Sequence, residues 1–354
     1  DLVRSRGLGD VYKRQIIENA FSFAGTENVC NFMTDCYGPD NEVIILSLKG
    51  KGDTFYKFEH VKRIISLEDI GASTYSIIKH VQNINPDYVF VISMGKLSVL
   101  YAFLSFFSFK SLNNTFACEH VSYSSFPWYV KLLKIFTLRF YKKVIVLTER
   151  DSKKLTSLAI KNLKISNPVH MKNIVRTEKP KIVLAIGRLE HQKGIDRLIS
   201  IWSLFYKKHP DWILNIAGTG SCEHQLIDQV KKENLEGSIF FLGKVKNVDE
   251  LYNNAGIYAM TSRYEGLPMV LLEAKSWSLP VVAFDCPTGP REIINHGEDG
   301  FLIEDGDIDV FVEKLCLLAE EDDIYFKFCS NIKNTSNPFS VEKIKEQWKM
   351  LISE

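Results

Sequence analysis

Short apolar, β-branched runs alternate with segments of helical spacing along almost the whole chain. Val43–Leu48, Tyr88–Ile92, Thr115–Cys118 and Val144–Leu147 are continuous apolar runs, the pattern of strands buried on both faces. A second series follows at Ile182–Ile186, Trp212–Ala217, Ile239–Leu242, Gly256–Met260 and Val281–Phe284. Helices are expected between them, near 26–36, 73–83, 97–108, 127–141, 150–159, 194–208, 222–234 and 268–278. Such alternation predicts an α/β fold of parallel sheets with helices on both faces. The series restarts after the polar stretch His170–Lys181. Two doubly wound, Rossmann-like domains facing a central cleft are therefore expected, over 16–169 and 170–340. The amphipathic segment Val341–Ile352 follows, and residues 341–354 are expected to pack back on the first domain.

Two stretches break the pattern. Residues 1–15, DLVRSRGLGDVYKRQ, lack strand alternation and the layout of a signal peptide, and are read as a non-native leader. On that reading the first strand is truncated to Ile16-Ile17. Tyr88 to Phe109 is long enough to span a membrane and has Lys96 as its only charge. Ser93-Met94-Gly95-Lys96 interrupts it, so a buried strand followed by an apolar helix is the better reading.

Composition adds little except in charge. The chain has 354 residues, 45% of them apolar and 25% charged, which suits two ordinary globular domains. The net charge of +1 hides an asymmetry. Residues 1–168 hold 22 Lys/Arg against 15 Asp/Glu, whereas residues 169–354 hold 22 against 28. Residues 127–164 alone carry ten Lys/Arg with only Glu149 and Asp151. A basic half fits an anionic membrane surface or a pyrophosphate-bearing substrate, and nucleic acid is not an expected partner. The aromatic, basic segment 127–143 could lie on such a membrane; it could equally be a core-facing apolar stripe with a solvated basic face. Seven scattered cysteines without a CxxC pair indicate neither a disulfide framework nor a zinc site, and fit a cytoplasmic protein.

The candidate chemistry concentrates in EGLPMVLLEA, residues 265–274. Pro268 is placed in a first helical turn, leaving the amides of Met269, Val270 and Leu271 pointing out of the helix start, which is an anion site. Glu265 before the helix and Glu273 within it flank that cradle, as a ligand with hydroxyls at both ends and phosphate between would require. Glu273 stands among Leu271, Leu272 and Ala274, where a carboxylate needs a partner such as a ribose diol. A nucleotide sugar has this shape. Upstream, Gly187 permits close backbone approach, and Arg188 and Lys193 bring two cations to one strand end. They suit a diphosphate leaving group, although ordinary surface cations would look the same. Gly289-Pro290-Arg291-Glu292 reads either as a capped helix or as a ligand contact. Gly25 at a helix start and His120 at the end of TFACEH are candidate phosphate and polar contacts, or an ordinary cap and a structural histidine.

In combination, GRLEHQKG, the Gly218-Thr219-Gly220 turn, FLGKV, SRYEGLPMVLLEA and DCPTGPREII resemble the family-4 retaining glycosyltransferases, which have the GT-B fold. The GTExV and CPTGP forms are similar to the amylovoran-type branch, which builds bacterial capsular polysaccharides and exopolysaccharides. The resemblance implies that Arg188 and Lys193 bind the donor diphosphate, that Glu265, Gly266 and Leu267 hold the donor sugar, and that Met269 and Val270 meet phosphate. It further implies Glu273 on the ribose, Gly243, Lys244 and Val245 near the nucleobase, Gly25 near the phosphates and His120 on an outer sugar hydroxyl. Ala24-Gly25 stands where many relatives have Gly-Gly, and Asn28 where the branch often has Arg.

The expected reaction moves a hexosyl group, with retention, from a nucleoside-diphosphate sugar (UDP-sugar foremost) to a lipid-linked saccharide in surface polysaccharide synthesis. The expected setting is cytoplasmic, peripheral on the inner face of the membrane. No cofactor or metal is expected, because Arg188 and Lys193 supply the positive charge. The rivals are a nucleotide-sugar 2-epimerase, which would alter the donor without an acceptor, and a non-catalytic nucleotide-sugar binding module.

Overall fold

The computed structural model describes residues 12–21, 25–172, 174–334 and 337–353. The chain forms two compact units, Asp1–Asn167 with Glu342–Glu354, and Pro168–Val341. The first runs β1 (Tyr12–Asn19), α1 (Gly25–Tyr37), β2 (Glu42–Lys49), β3 (Arg63–Ser66), α2 (Ile77–Ile84), β4 (Tyr88–Ser93), α3 (Leu97–Phe107), β5 (Thr115–Glu119), α4 (Trp128–Thr137), β6 (Lys143–Val146), α5 (Glu149–Ser157) and β7 (Asn162–Lys164). Its sheet is wholly parallel, ordered β3-β2-β1-β4-β5-β6-β7.

Side chains two apart share a sheet face, and here the two faces fill two separate cores. Ile16, Val89, Val91 and Ala117 enter one with α2 and α3 residues; Ile17, Phe90, Ile92 and Cys118 enter the other with α1 residues. This is why the strands read as unbroken apolar runs. The membrane-length run resolves into β4 and α3, with Gly95 at φ 120° between them; a Cβ there would stand 2.3 Å from the Phe126 ring.

The first strand departs from expectation. It is not confined to Ile16-Ile17: Tyr12–Gln15 continue it, pairing with Glu42–Ile45 on one side and, from Lys13, with Tyr88–Phe90 on the other. Backbone hydrogen bonds on both edges hold it whatever its side-chain pattern. The buried Gln15 amide takes a hydrogen bond at Oε1 from the Cys30 thiol, 2.7 Å away. Residues 1–11 and Ala24 lie outside the described residues.

The second unit runs β8 (Ile182–Ile186), α6 (Ile195–Tyr206), β9 (Ile213–Ala217), α7 (Glu223–Lys232), β10 (Ile239–Gly243), α8 (Val248–Asn254), β11 (Ile257–Met260), α9 (Met269–Ser276), β12 (Val281–Phe284), α10 (Pro290–Ile293), β13 (Gly300–Ile303), α11 (Ile308–Glu320) and α12 (Asp322–Asn334). Its sheet is parallel, ordered β10-β9-β8-β11-β12-β13. Strand order reverses between β8 and β11, and in such sheets the crevice beyond the strands' carboxyl ends at that reversal is where ligands bind. Both units are therefore doubly wound, Rossmann-like α/β domains. The strands not anticipated from sequence, β3, β7 and β13, are edge strands of only three or four residues.

The last helix, α13 (Val341–Ser353), belongs to the first unit. Ile344, Trp348 and Leu351 enter the core beside Tyr37 and Phe90, and the Tyr37 hydroxyl donates to the Trp348 carbonyl at 2.7 Å. Trp348→Ala should destabilise the first unit by about 3–5 kcal/mol, the range for emptying a large buried aromatic site. Urea unfolding of the full chain measures it; a loss under ~1 kcal/mol would mean α13 is only loosely docked.

Candidate active site at the strand ends of the second unit

After β8 the chain turns through Gly187–Glu190, then a short 3₁₀ turn at His191–Lys193, and enters α6 through Gly194 in the left-handed region (φ 64°). The Lys193 side chain folds back over Gly187, where a Cβ would come 3.3 Å from its Cγ, Cδ and Cε. The Gly218-Thr219-Gly220 turn after β9 lies directly against this loop. A Cβ on Gly218 (φ 140°) would stand 1.9 Å from the Gly187 carbonyl oxygen, and one on Gly220 2.3 Å from that of Leu189. Main-chain bonds confirm the contact: Gly187 N–H donates to the Ala217 carbonyl and Leu189 N–H to that of Thr219. Glu190 is drawn below the usual carboxylate range by the hydroxyl and amide of Ser221.

The loop after β11 is fastened to the same place. Thr261 Oγ1 donates to the Gly194 carbonyl at 2.9 Å, and Arg263 forms a bidentate pair with Asp196 at 2.8 and 2.5 Å. Gln192 accepts at its carbonyl from Arg263 N–H and donates from Nε2 to the Tyr264 carbonyl. At the centre, Lys193 Nζ meets Glu265 Oε1 at 2.6 Å, with the side chains only 17% and 7% exposed. The loop after β12 supports the turn from beneath. Thr288 Oγ1 donates to the Glu265 carbonyl, and a Cβ on Gly289 (φ 97°) would strike Pro268 Cδ and the Gly266 carbonyl. Three strand ends thus bring Gly187, Lys193, Glu265, Gly266, the buried Leu267 and the start of α9 together.

Several expectations are revised. Pro268 stands before the helix, in an extended conformation with ψ 97°, and α9 begins at Met269. The Leu271 amide bonds to the Pro268 carbonyl at 3.0 Å, so the outward amides of the helix start are those of Met269 and Val270. Lys193 is not a lone cation, since Glu265 neutralises it. Arg188 is exposed and its Nη2 reaches Gln192 Oε1 at 3.2 Å rather than the central pair. Glu273 does not wait for a ligand to satisfy it. Its carboxylate is half-buried and accepts from the Tyr252 hydroxyl at 2.8 Å. Tyr252 and Tyr258, their rings 6.0 Å apart, link the two acids. The Tyr258 hydroxyl bonds to the main chain of Ile186, and burial first, then the charges of Glu273 and Glu265, hold its proton on. Neither tyrosine stands out in the sequence, because each reads as one more apolar core position.

Gly243 closes β10 at φ 63°; its carbonyl accepts from Gly218 N–H, and open space lies where a Cβ would go. Val245 follows, half-buried. Two expected residues belong to the other unit. Gly25 opens α1, and His120 follows β5, its amide bonded to the Ser93 carbonyl. The buried His120 Nε2 has no hydrogen-bond partner among the described residues, and burial lowers the ring pKa to about 4, so it is neutral near pH 7. An Asp-x-Asp spacing, a common arrangement for divalent cations, occurs twice, at Asp305-Gly306-Asp307 and Asp307-Ile308-Asp309. Asp305 pairs with Arg197 at 2.6 Å and Asp307 caps α11 through the Val310 amide.

Burial raises the Glu273 pKa above its ordinary 4.5, an effect the Tyr252 hydrogen bond opposes. The native state therefore holds this proton more tightly than the unfolded chain, and stability falls as pH rises through the folded pKa. Glu273→Gln should melt higher than wild type at neutral pH, with the gain vanishing below about pH 4.5. Melting curves across pH check this, and a gain that persists or grows in acid would reverse the assignment.

Comparison with known proteins accords with this geometry. Residues 166–336 match the family described as glycosyl transferases group 1. The amylovoran biosynthesis glycosyltransferase AmsD of Erwinia amylovora is 33% identical over 353 residues, covering 96% of this chain and 98% of its own. A Campylobacter jejuni N-acetyl-D-galactosaminyltransferase, named for a PP-undecaprenol-linked saccharide, is 31% identical over 193 residues, or 53% of each chain. Among solved structures, Anabaena HepE in complex with UDP and glucose superposes with a TM-score of 0.80 at 18% identity, over 97% of this chain and 99% of that one. Its likeness extends to the whole fold of two parallel-sheet domains, the GT-B fold. With AmsD matched over nearly the whole of both chains and the family pattern lying over the unit that carries the Lys193–Glu265 site, the chain belongs to the group 1 glycosyltransferases.

Proposed function

We propose that this enzyme transfers a hexosyl group from a UDP-sugar, with retention at the anomeric carbon, to a hydroxyl of a lipid-linked saccharide during bacterial surface polysaccharide synthesis, on the cytoplasmic side of the membrane. The observation that carries the reading is the Lys193–Glu265 pair set beside the outward amides of Met269 and Val270 at the strand-order reversal. Arg188 and Lys193 receive the diphosphate, Met269 and Val270 add amide donors, and Glu265, Gly266 and Leu267 hold the sugar. Glu273 takes the ribose hydroxyls, with Gly243 and Val245 beside the base. Gly25 and His120 keep the roles the family resemblance implies for them, at the phosphates and an outer sugar hydroxyl. The relatives support the chemistry: AmsD is named for amylovoran biosynthesis, HepE is described with UDP and glucose, and the Campylobacter enzyme is named for a PP-undecaprenol-linked acceptor.

In this reading the bond from the anomeric carbon to the phosphate oxygen breaks as the acceptor oxygen bonds to the same carbon from the same face. The departing phosphate oxygen takes the acceptor's proton. Charge grows on the diphosphate, so the dominant contribution comes from cations and amides fixed beside it before reaction. No protein nucleophile, metal or cofactor is invoked, since Arg188, Lys193 and the helix amides carry that charge.

Lys193→Ala should lower turnover by about two to three orders of magnitude, the usual effect of deleting one preorganised donor to a developing anion. It should also destabilise the unit, because Glu265 is left as an unpaired, nearly buried charge. The double variant Lys193→Met/Glu265→Gln separates the effects: stability should return while turnover stays low. Single-variant turnover within a few-fold of wild type, or no rise in melting temperature with UDP, would overturn the assignment.

A further inference from the structure

The amphipathic pattern of α4 is inverted. Trp128, Leu132 and Phe136 succeed one another at i, i+4 and i+8, with Tyr129 and Leu133 beside them, and all five face solvent. Trp128 is 73% exposed and Phe136 56%. The inward face instead carries Lys134, only 1% exposed, whose Nζ meets Glu119 Oε2 at 2.6 Å and lies 4.7 Å from the Phe126 ring centre. Ser98 Oγ donates to the other Glu119 oxygen. The sequence allowed this helix to turn its apolar stripe to the core; the structure turns it out. A soluble monomer rarely leaves contiguous aromatic and aliphatic surface unpaired without a use.

Charge identifies the occupant. From Met94 to Thr148 the chain has seven Lys/Arg and a single carboxylate, Glu119, which is consumed internally by Lys134. This segment is thus net basic even after Lys134 and Glu119 cancel, and the acid that lines the groove beside Tyr129, Glu18, is paired with Lys49 at 3.4 Å. Among the described residues no helix is long and apolar enough to cross a membrane. We infer that α4 is a monotopic docking helix, seating Trp128, Leu132 and Phe136 in the interface of an anionic bilayer while the Lys134–Glu119 pair fixes its rotation. Aromatic rings favour that depth, and nearby cations add attraction to anionic lipid. The inference deepens the reading of a lipid-linked acceptor, which a docked enzyme would meet in the plane of the membrane, but it does not depend on the donor-site assignment.

The test is co-sedimentation of the full chain with vesicles of phosphatidylcholine, with and without phosphatidylglycerol, at low and high salt. Wild type should bind the anionic vesicles and be released by salt. The triple variant Trp128→Ser/Leu132→Ser/Phe136→Ser should lose about tenfold or more in partitioning. Its UDP-dependent thermal shift should match wild type, which keeps a failure here distinct from a failure of the donor site. Should the triple variant not fold, Lys131→Glu gives a second reading: preference for anionic over neutral vesicles should fall. No lipid-dependent binding by wild type, or binding by the triple variant equal to it, would overturn the inference. So would self-association of wild type that the triple variant abolishes while vesicles bind neither, since the face would then cover a second copy.

Discussion

The second unit is organised around a lysine and a glutamate that approach to 2.6 Å where both are largely shielded from water. Withdrawing either charge alone would strand the other, an outcome several kcal/mol less favourable than the intact pair. The pair therefore acts as a clasp between the loops after β8 and β11. The Arg263–Asp196 bond and the Gln192 contacts reinforce the same seam. On the proposed reading a diphosphate reaching Lys193 would share it with Glu265, so the glutamate would set how much positive charge is offered to the ligand. This coupling of architecture and chemistry is what a preorganised electrostatic site requires.

The clasp forms only because the backbones beneath it come unusually close. Gly187, Gly218, Gly220 and Gly289 each stand where a Cβ would meet another segment's atoms well inside, or at the edge of, normal contact. Gly218 and Gly289 also hold positive φ, which other residues adopt reluctantly. These glycines are less about flexibility than about stacking three loops into the space of two. Their effect is to hold the loop that carries Lys193 against the turn that precedes α9.

The first unit shows a different use of a buried ion pair. Lys134 and Glu119 sit in its interior with Ser98 completing the carboxylate's bonds. A well-packed apolar trio could serve stability as well, but it would not prevent α4 from rotating its aromatic stripe inward. The pair makes the outward orientation the one in which no buried charge is left unpaired.

Much of this protein was legible in order and composition. Continuous β-branched runs announced buried parallel strands, and their restart near residue 182 announced the second domain, because a strand covered on both faces has few polar positions. Gly187, Lys193 and Glu265, which meet at the strand ends of the second unit, also stood out in the sequence. What sequence could not decide was how side chains find partners across distant segments. Tyr252 beneath Glu273, Arg263 on Asp196 and Lys193 on Glu265 join residues 21, 67 and 72 positions apart. The continuation of β1 through Tyr12–Gln15 came from hydrogen bonds offered by two neighbouring strands, not from its own pattern. The facing of α4 was likewise open, because helical periodicity specifies an apolar stripe but not whether core or solvent receives it. That choice was made by a buried carboxylate on another strand.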